Sequence, residues 1–452
     1  MKTRAFLLSV AVAQSLYAMN VDKNNFYTRD YLDFGQNLGQ FTPGATNLSI
    51  IKKDGSKVAL PDLPFPDFSK FDGSNRTSVG GAYTASSKHV TVQINRNGQV
   101  IKELKKTIHL GDTRYDEMKM KPYSGDSAYT RTNKFIVEGG YKITDIRTIK
   151  NNIKDYETNY QGQNRLIVYR SGSGRMSFKH WDGNPNAGDS VKSSTRAGGL
   201  FYIKSSDIRG GDLMVVTNNN NYGPLKGATN TGDSGSPAFI FNNRTKEWEL
   251  VGTTWAGVPK NREQVYSTTW GFVLPSELDR FKKEYEVERQ ASGEYIAENN
   301  KDSVYNESGT ISISSQINQG GGGIILRNND KTLVIAGDNG SFQGAGIDIA
   351  EENSKVVWNT GVSGDLHKIG KGELEVTKQT NGKLRMGEGV VRLKAENSFS
   401  EVHLANRDGR LIIDNDKATD YNKLNFGKSG GTLDLNGHSV SMSGVKVIIQ
   451  ML

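Results

Sequence analysis

The chain has 452 residues, of which 35% are hydrophobic, 51 are glycine and none is cysteine. This length allows two or three domains, and the lack of cysteine excludes disulfides, a cysteine nucleophile and thiolate metal sites. The formal charge of +8 comes from scattered Lys and Arg residues, without the basic stripes interleaved with aromatic residues that mark nucleic-acid binding. Few stretches have a helical period, so the composition predicts an all-β protein with many turns.

The N-terminus has the layout of a secretory signal peptide at residues 1–18. Lys2 and Arg4 precede an apolar run at residues 5–12, which small residues follow. We expect cleavage after Ala18, with cleavage after Ser15 as an alternative, and a buried N-terminal strand as the competing interpretation. No later run approaches the roughly 18 apolar residues of a membrane helix, so the sequence predicts an exported chain.

Short apolar segments separated by turn residues fill the region between residues 25 and 284. The strand-length segments lie at residues 89–94, 165–170, 212–216, 238–241 and 248–255. Such segments are typical of β-barrels. The one clear helical segment is SELDRFKKEYEVER at residues 276–289, where a domain could end.

A different pattern begins near residue 296. Short alternating strands recur after Gly372, Gly389, Gly409 and Gly431, at intervals of 17, 20 and 22 residues. An irregular period near 20 residues predicts the stacked rungs of a parallel β-helix, and a β-sandwich of short strands is the alternative. The last residues run to the terminus without a polar cap, so we expect the chain to be a portion of something longer.

The stretch NTGDSGSPAF at residues 230–239 raises the question of a nucleophilic serine. Gly, Asp, Ser and Pro also build ordinary turns, so the stretch alone is ambiguous. If Ser234 is a nucleophile, Gly232 allows a backbone turn in which the N–H groups of Gly232 and Ser234 converge on an oxyanion. Asp233 would then pair locally, and Ala228 would lie at the floor of the specificity pocket.

A serine nucleophile needs a general base and an acid that orients the base. His89 is the favoured base because GGAYTASSKHVTVQ resembles the histidine turn of chymotrypsin-like proteases. His109 is the alternative base, and we expect His180 to be a turn residue. We expect the three histidines of the repeat region to be surface or turn residues. Several aspartates between His89 and Ser234 could supply the acid, and spacing alone does not choose among them: Asp112, Asp116, Asp126 and Asp145. Neither the histidines nor the carboxylates have the spacing of a metal site, so no metal or cofactor is predicted.

Several stretches together resemble the serine protease autotransporters of Gram-negative bacteria, which include the immunoglobulin A proteases and the Haemophilus adhesion and penetration protein. They are FYTRDYLDFGQNLGQFTPGATNLSI (26–50), ASSKHV, DSAYTRTNKFIVE (126–138), TGDSGSP, SGDLHKIGKGELEV and GGTLDLNGH (430–438). The resemblance covers nearly the whole chain. It implies a catalytic triad of His89, Asp126 and Ser234, because DSAYTRTNKFIVE is similar to the family's aspartate segment.

The sequence departs from the family pattern at three positions beside these residues. Val90 replaces the usual Asn, and Ser127 and Thr130 replace the usual Tyr and Pro. From the resemblance we expect the family's C-terminal membrane barrel, the translocator that exports the passenger, to lie outside this sequence.

The resemblance implies an all-β fold: a chymotrypsin-like double β-barrel followed by a right-handed parallel β-helix. We expect a signal peptide at 1–18, the protease domain at 19–290 and the β-helix stalk at 291–452. The expected function is a secreted serine endopeptidase at the bacterial surface, reached through the periplasm, that cleaves a host protein or its own precursor. The alternative is a non-enzymatic adhesin whose β-helix binds host surfaces, although retention of all three triad residues favours the enzyme.

Overall fold

The computed structural model describes most of the chain. The described residues are 19–21, 25–73, 75–123, 125–173, 176–177, 190–191, 196–203, 208–209, 212–216, 223–229, 232–260, 265–442 and 446–447. The predicted signal peptide and His180 lie outside them. In the described part, no helix is both long and apolar enough to cross a membrane.

The N-terminal third is built mainly of short antiparallel strands. In chain order these strands are β1 (Met19–Val21), β2 (Ser49–Ile51), β3 (Lys57–Ala59), β4 (Phe71–Asp72), β5 (Arg76–Ser78), β6 (Tyr83–Ser87), β7 (Val92–Ile94), β8 (Val100–Glu103), β9 (Thr107–Leu110), β10 (Thr113–Pro122), β11 (Ser127–Thr132) and β12 (Lys142–Ile143). The sheet of the first barrel has the order β4-β5-β6-β11-β10-β9. Buried and exposed side chains alternate at the start of β10, because successive side chains of a strand point to opposite faces of the sheet.

The middle third contains the second barrel. Its strands are β13 (Glu157–Tyr160), β14 (Gln163–Gly172), β15 (Met176–Ser177), β16 (Ser190–Val191), β17 (Ala197–Ile203), β18 (Ile208–Arg209), β19 (Asp212–Val216), β20 (Gly227–Thr229), β21 (Pro237–Asn242), β22 (Glu247–Lys260) and β23 (Val265–Phe272). The barrel sheet has the order β13-β14-β21-β22-β23-β19-β18, with β12 added to β22 and β17 added to β14, whereas β15, β16 and β20 form a separate sheet with β1. The predicted segments at 165–170, 212–216, 238–241 and 248–255 are all confirmed as strands, whereas in the predicted strand at 89–94 residues 88–90 form a 3₁₀ turn instead.

In the described ranges, four α-helices accompany these strands: α1 (Thr28–Gln36), α2 (Ile146–Asn151), α3 (Ile153–Tyr156) and α4 (Pro275–Lys283). Helix α4 is the predicted helix, but it ends six residues early. Residues 286–288 form a strand instead, because they pair in parallel with residues 302–304. A tertiary contact thus overrides the helical pattern of the charged segment.

The C-terminal third is a parallel β-solenoid. Its strands are β24 (Glu286–Glu288), β25 (Ser292–Glu294), β26 (Asp302–Tyr305), β27 (Gly309–Ser312), β28 (Gln316–Asn318), β29 (Ile324–Leu326), β30 (Thr332–Gln343), β31 (Ile347–Ile349), β32 (Lys355–Val362), β33 (Asp365–Ile369), β34 (Glu373–Val376), β35 (Lys383–Met386), β36 (Gly389–Leu393), β37 (Glu401–Leu404), β38 (Gly409–Ile413), β39 (Leu424–Phe426), β40 (Thr432–Asp434) and β41 (Lys446–Val447). They form two long parallel sheets in which the chain alternates from one sheet to the other.

The register of the solenoid reproduces the repeat intervals of the sequence. Leu374 pairs with Val391, Val391 with Leu411, and Leu411 with Leu433, at intervals of 17, 20 and 22 residues. The first three of these side chains are fully buried in the interior of the stack. The prediction of an all-β protein with a double barrel followed by a parallel β-helix is therefore confirmed.

Buried polar contacts join the first barrel to the solenoid. The Arg131 guanidinium lies 2.8 Å from the Asp302 carboxylate, and both side chains are almost completely buried. The Phe135 N–H donates a hydrogen bond to the Ala345 carbonyl at 2.9 Å. Strand β11, which follows Asp126, is thus tied at its far end to the first rungs of the solenoid.

The expectation that the histidines of the repeat region lie at the surface is wrong for two of the three. His367 and His403 are 2% and 4% exposed. The His367 Nδ1 is hydrogen-bonded to the Phe135 carbonyl at 2.7 Å, so the first barrel covers it. A local sequence pattern does not contain this contact between distant segments.

Candidate active site

His89 lies where a barrel strand ends. Strand β6 stops at Ser87, and residues 88–90 form a 3₁₀ turn. The Thr91 N–H closes this turn on the Lys88 carbonyl at 3.0 Å. The His89 side chain is 43% exposed, so a substrate can reach it.

Asp126 contacts His89 through two hydrogen bonds. Its Oδ2 lies 2.6 Å from the His89 Nδ1, and its Oδ1 accepts the His89 backbone N–H at 3.2 Å. The carboxylate is 5% exposed. A buried carboxylate at Nδ1 favours the imidazole tautomer that carries its proton there and leaves the Nε2 lone pair available as a base.

Ser234 lies on a tight loop between β20 and β21. Gly232 and Gly235 have φ values of 103° and 89°, in the region that favours glycine. A Cβ atom on Gly235 would approach the Ser86 Oγ to 2.5 Å. The loop is therefore packed directly against the strand that leads to His89.

One carbonyl joins the Ser234 loop to the His89 strand. The Thr254 carbonyl of β22 accepts the Gly235 N–H at 2.8 Å and the Ser87 hydroxyl at 2.5 Å. These donors are one residue after Ser234 and two residues before His89. Within the described part of the chain, no direct hydrogen bond joins Ser234 to His89, and such bonds are often long before substrate binds.

Asn75 adds a second link between the first barrel and the loop. Its amide Nδ2 donates to the Gly232 carbonyl at 2.9 Å. Its own carbonyl accepts the Ser86 hydroxyl at 2.6 Å. Asn75 thereby contacts both the loop and strand β6.

Asp233 forms a buried ion pair next to Ser234. Its Oδ2 lies 3.0 Å from the Arg170 guanidinium of β14, and neither side chain is exposed. From the sequence we expect Asp233 to pair locally; the structure pairs it with a residue of the distant strand β14. Because both charges are removed from water, the ion pair compensates part of the cost of burying each of them.

The rival candidates lie in other contacts. His109 is exposed on β9, and its backbone N–H donates to Asp72. Asp112 accepts the Lys428 N–H, Asp116 accepts the Thr107 hydroxyl, and Asp145 caps helix α2. Among the four aspartates, Asp126 is the one hydrogen-bonded to His89.

Sequence reasoning missed Arg170, Asn75 and Thr254. Arg170 follows an apolar strand and Asn75 stands between two short strands, so neither has a local signal for a role at the site. Ala228 lies on β20, but its side chain is outside the described set. No three His, Cys, Asp or Glu side chains of the described ranges lie close enough together to hold a metal ion.

Known proteins are similar to this chain over almost its whole length. It is 34% identical over 466 residues to the Escherichia coli protein "Serine protease EspP", a match that covers 97% of this chain and 34% of that protein. It is 27% identical to the Haemophilus influenzae "Adhesion and penetration protein autotransporter", covering 92% of this chain and 35% of that protein. The chain spans about a third of the length of the curated relatives that it matches.

A solved structure matches most of the fold. The passenger domain of plasmid encoded toxin, an autotransporter enterotoxin from enteroaggregative Escherichia coli, superimposes with a TM-score of 0.76 at 28% identity. The match covers 94% of this chain and 46% of that one. The family model of immunoglobulin A1 protease matches residues 19–271, more than half of the chain. The chain therefore belongs to the immunoglobulin A1 protease family of serine protease autotransporters.

Proposed function

We propose that this chain carries the peptidase of a secreted serine endopeptidase of the autotransporter type. The observation that carries the proposal is the 2.6 Å hydrogen bond between His89 and the buried Asp126, beside the loop that bears Ser234. Membership of the immunoglobulin A1 protease family supports the same reaction.

In the proposed mechanism, Ser234 attacks the carbonyl carbon of a peptide bond. The His89 Nε2 takes the hydroxyl proton and returns it to the leaving amine, while Asp126 holds the ring and stabilises the imidazolium. The backbone N–H groups of Gly232 and Ser234 bind the oxyanion. Water then releases the acyl group by the same proton transfers.

The proposal also covers the substrate, the export route and the domains of the chain. The substrate is a protein, either a host extracellular protein or the chain's own precursor. We propose export through the periplasm to the cell surface or medium, with residues 1–18 as the signal peptide and an outer-membrane translocator as partner. Residues 19–290 would be the protease domain and residues 291–452 the stalk.

Labelling with a fluorophosphonate probe tests the mechanism. We expect the native chain to be labelled and Ser234→Ala and His89→Ala not to be. Asp126→Asn should slow turnover by roughly 10⁴-fold, because the wrong imidazole tautomer is then favoured. The matched controls His109→Ala and Asp116→Asn should react like the native chain. A well-folded native chain that resists labelling would contradict the proposal and favour the adhesin.

A further inference from the structure

A projecting hairpin lies next to the His89 turn. It consists of β7 (Val92–Ile94) and β8 (Val100–Glu103), which pair only with each other among the described strands. Val92 at its base is buried, but residues 93, 94 and 96–102 are all exposed. The hairpin thus extends away from the barrel.

The exposed part of the hairpin is unusually apolar. Ile94, Val100 and Ile101 are 43%, 42% and 64% exposed, and they are three of the nine large hydrophobic side chains that are exposed in the described chain. Ile94 pairs with Val100, and a β-bulge places Ile101 next to that pair. Clustered exposed apolar side chains mark interaction sites, whereas single ones do not.

The hairpin is held in one conformation at its tip. The Asn95 Oδ1 accepts the backbone N–H groups of Asn97 and Gln99 at 3.0 and 2.9 Å. The Asn95 N–H donates to the Gln99 carbonyl at 2.9 Å. A surface that is ordered in advance loses less conformational entropy when it binds a partner.

The base of the hairpin is fixed to the catalytic turn. The Leu104 N–H donates to the Thr91 carbonyl at 2.7 Å. The Thr91 hydroxyl donates to the Lys88 carbonyl at 2.9 Å. A polypeptide bound along the hairpin would therefore run beside His89.

The charges on the hairpin are mainly positive. Arg96 and Lys102 are exposed, while the acidic residue Glu103 forms ion pairs with Lys119 and Lys105. The potential at the hairpin thus favours an acidic partner.

We propose that residues 92–103 form a docking surface for an extended segment of the protein substrate that is rich in apolar and acidic residues. An extended partner is supported because, among the described strands, β7 and β8 pair only with each other, and open strand edges bind peptides through main-chain hydrogen bonds. Ile94, Val100 and Ile101 contact the apolar side chains, and Arg96 and Lys102 contact the acidic ones. This inference rests on the proposed function for the identity of its partner.

Binding and cleavage of β-casein, an unfolded, acidic and apolar protein, test the docking surface. The test variant is Ile94→Ser/Val100→Ser/Ile101→Ser. The control variant, Ile51→Ser/Ile153→Ser/Ile296→Ser, removes the same number of exposed apolar side chains elsewhere. We expect the test variant to lower kcat/KM for β-casein at least tenfold, mainly through KM, and the control to leave it unchanged. Fluorophosphonate labelling of both variants should stay within twofold of the native rate.

Binding of β-casein to the inactive Ser234→Ala chain tests the role of the hairpin independently of catalysis. This inactive chain should bind β-casein, the three serine substitutions should weaken binding at least tenfold, and Arg96→Glu/Lys102→Glu should weaken it too. Equal binding with and without the substitutions, or no binding, would overturn the docking surface even if labelling succeeds. Sedimentation of the native chain, the test variant and the control variant gives a further outcome. If the native chain and the control variant are dimers and the test variant is a monomer, a second copy of the chain occupies the hairpin, and this would also overturn the docking surface. Hairpin-dependent binding with no labelling of the native chain would instead refute the proposed function alone.

Discussion

Arg170 forms a buried ion pair with the Ser234 loop. Its guanidinium is buried 3.0 Å from the carboxylate of Asp233, the residue before the proposed nucleophile. Loss of either charge removes this buried ion-pair partner from the other, which costs about 3–5 kcal/mol. We expect the loop to relieve that cost by turning Asp233 towards water.

We expect Arg170→Met to destabilise the fold and to slow fluorophosphonate labelling of the protein that remains folded. The double variant Arg170→Met/Asp233→Asn should recover part of both losses, because no lone charge is buried. Thermal unfolding and labelling rates measure the two effects. A double variant that behaves no better than the single one would show that the charge pair is not what holds the loop.

The sequence predicts His89 as the favoured base and leaves four aspartates as candidates for the acid that orients it. The family resemblance pointed to Asp126, and the structure adds its hydrogen bond to His89. Spacing could not make this choice, because the base follows strand β6 and the acid precedes strand β11, and the pairing of these two strands brings residue 127 opposite residue 87. Arg170 could not be assigned a role from sequence for the same reason.

Among the elements, the loop from Gly232 to Gly235 is constrained by steric contact as well as by hydrogen bonds. Gly235 has a φ of 89°, and an added Cβ atom would lie 2.5 Å from the Ser86 Oγ and 3.0 Å from the Asn75 carbonyl oxygen. The second of these atoms belongs to the backbone and cannot rotate away. A side chain at position 235 must therefore displace the loop from strand β6.

We expect Gly235→Ala to lower the labelling rate of Ser234 at least tenfold. The control is Gly293→Ala, since Gly293 has a φ of 82° with open space around it. Both variants bear the backbone strain of a left-handed alanine, about 1–2 kcal/mol, but only one has the clash. If both variants label at the native rate, the loop does not need its contact with β6.

The elements themselves were largely predictable. The segments around the turn at residues 242–245 form the hairpin of β21 and β22, because two short apolar runs on either side of turn residues encode a hairpin locally. The errors fall where a distant partner decides the structure. Residues 286–288 pair with the solenoid instead of extending helix α4. Residues 88–90 form a turn instead of a strand, and the Lys88 N–H at its start donates a hydrogen bond to the Asp126 carbonyl.

For the whole molecule, the buried pair of Arg131 and Asp302 connects the barrel to the solenoid. The Arg131 guanidinium also donates to the Gly321 carbonyl at 2.7 Å and lies 4.4 Å from the centre of the Tyr285 ring. We expect Asp302→Asn to destabilise the chain by about 3–5 kcal/mol, since a charged Arg131 stays buried. Denaturant unfolding measures this loss. The labelling rate of the folded fraction should stay native, because Asp302 lies on the solenoid; a specific loss of labelling would contradict this separation.

His367 makes the same junction sensitive to acid. Burial lowers the pKa of His367 to about 3, whereas an unfolded histidine titrates near pH 6.5. Between these values the unfolded chain binds the extra proton, so this contribution to stability is complete above about pH 6.5 and decreases as the pH falls towards 3. The loss is about 1.4 kcal/mol for each pH unit well inside that window.

We expect His367→Asn to lose less thermal stability than the native chain between pH 7.5 and pH 4.5. Glu138 acts in the opposite direction, because burial raises its pKa to about 7; it is present in both proteins and cancels in the comparison. The exposed His109→Asn variant should keep the native acid sensitivity. Equal acid sensitivity of the native chain and His367→Asn would show that His367 does not control this response.

The unequal rungs of the solenoid have a consequence for how this protein can change. Intervals of 17, 20 and 22 residues between paired positions leave the paired strands in register, so the additional residues are accommodated in the turns. Length variation at the exposed parts of those turns leaves the paired core positions in place, and the entropic cost of lengthening a flexible loop grows only slowly. The rim of the stack can therefore acquire insertions, and with them new surface chemistry, while its interior stays the same.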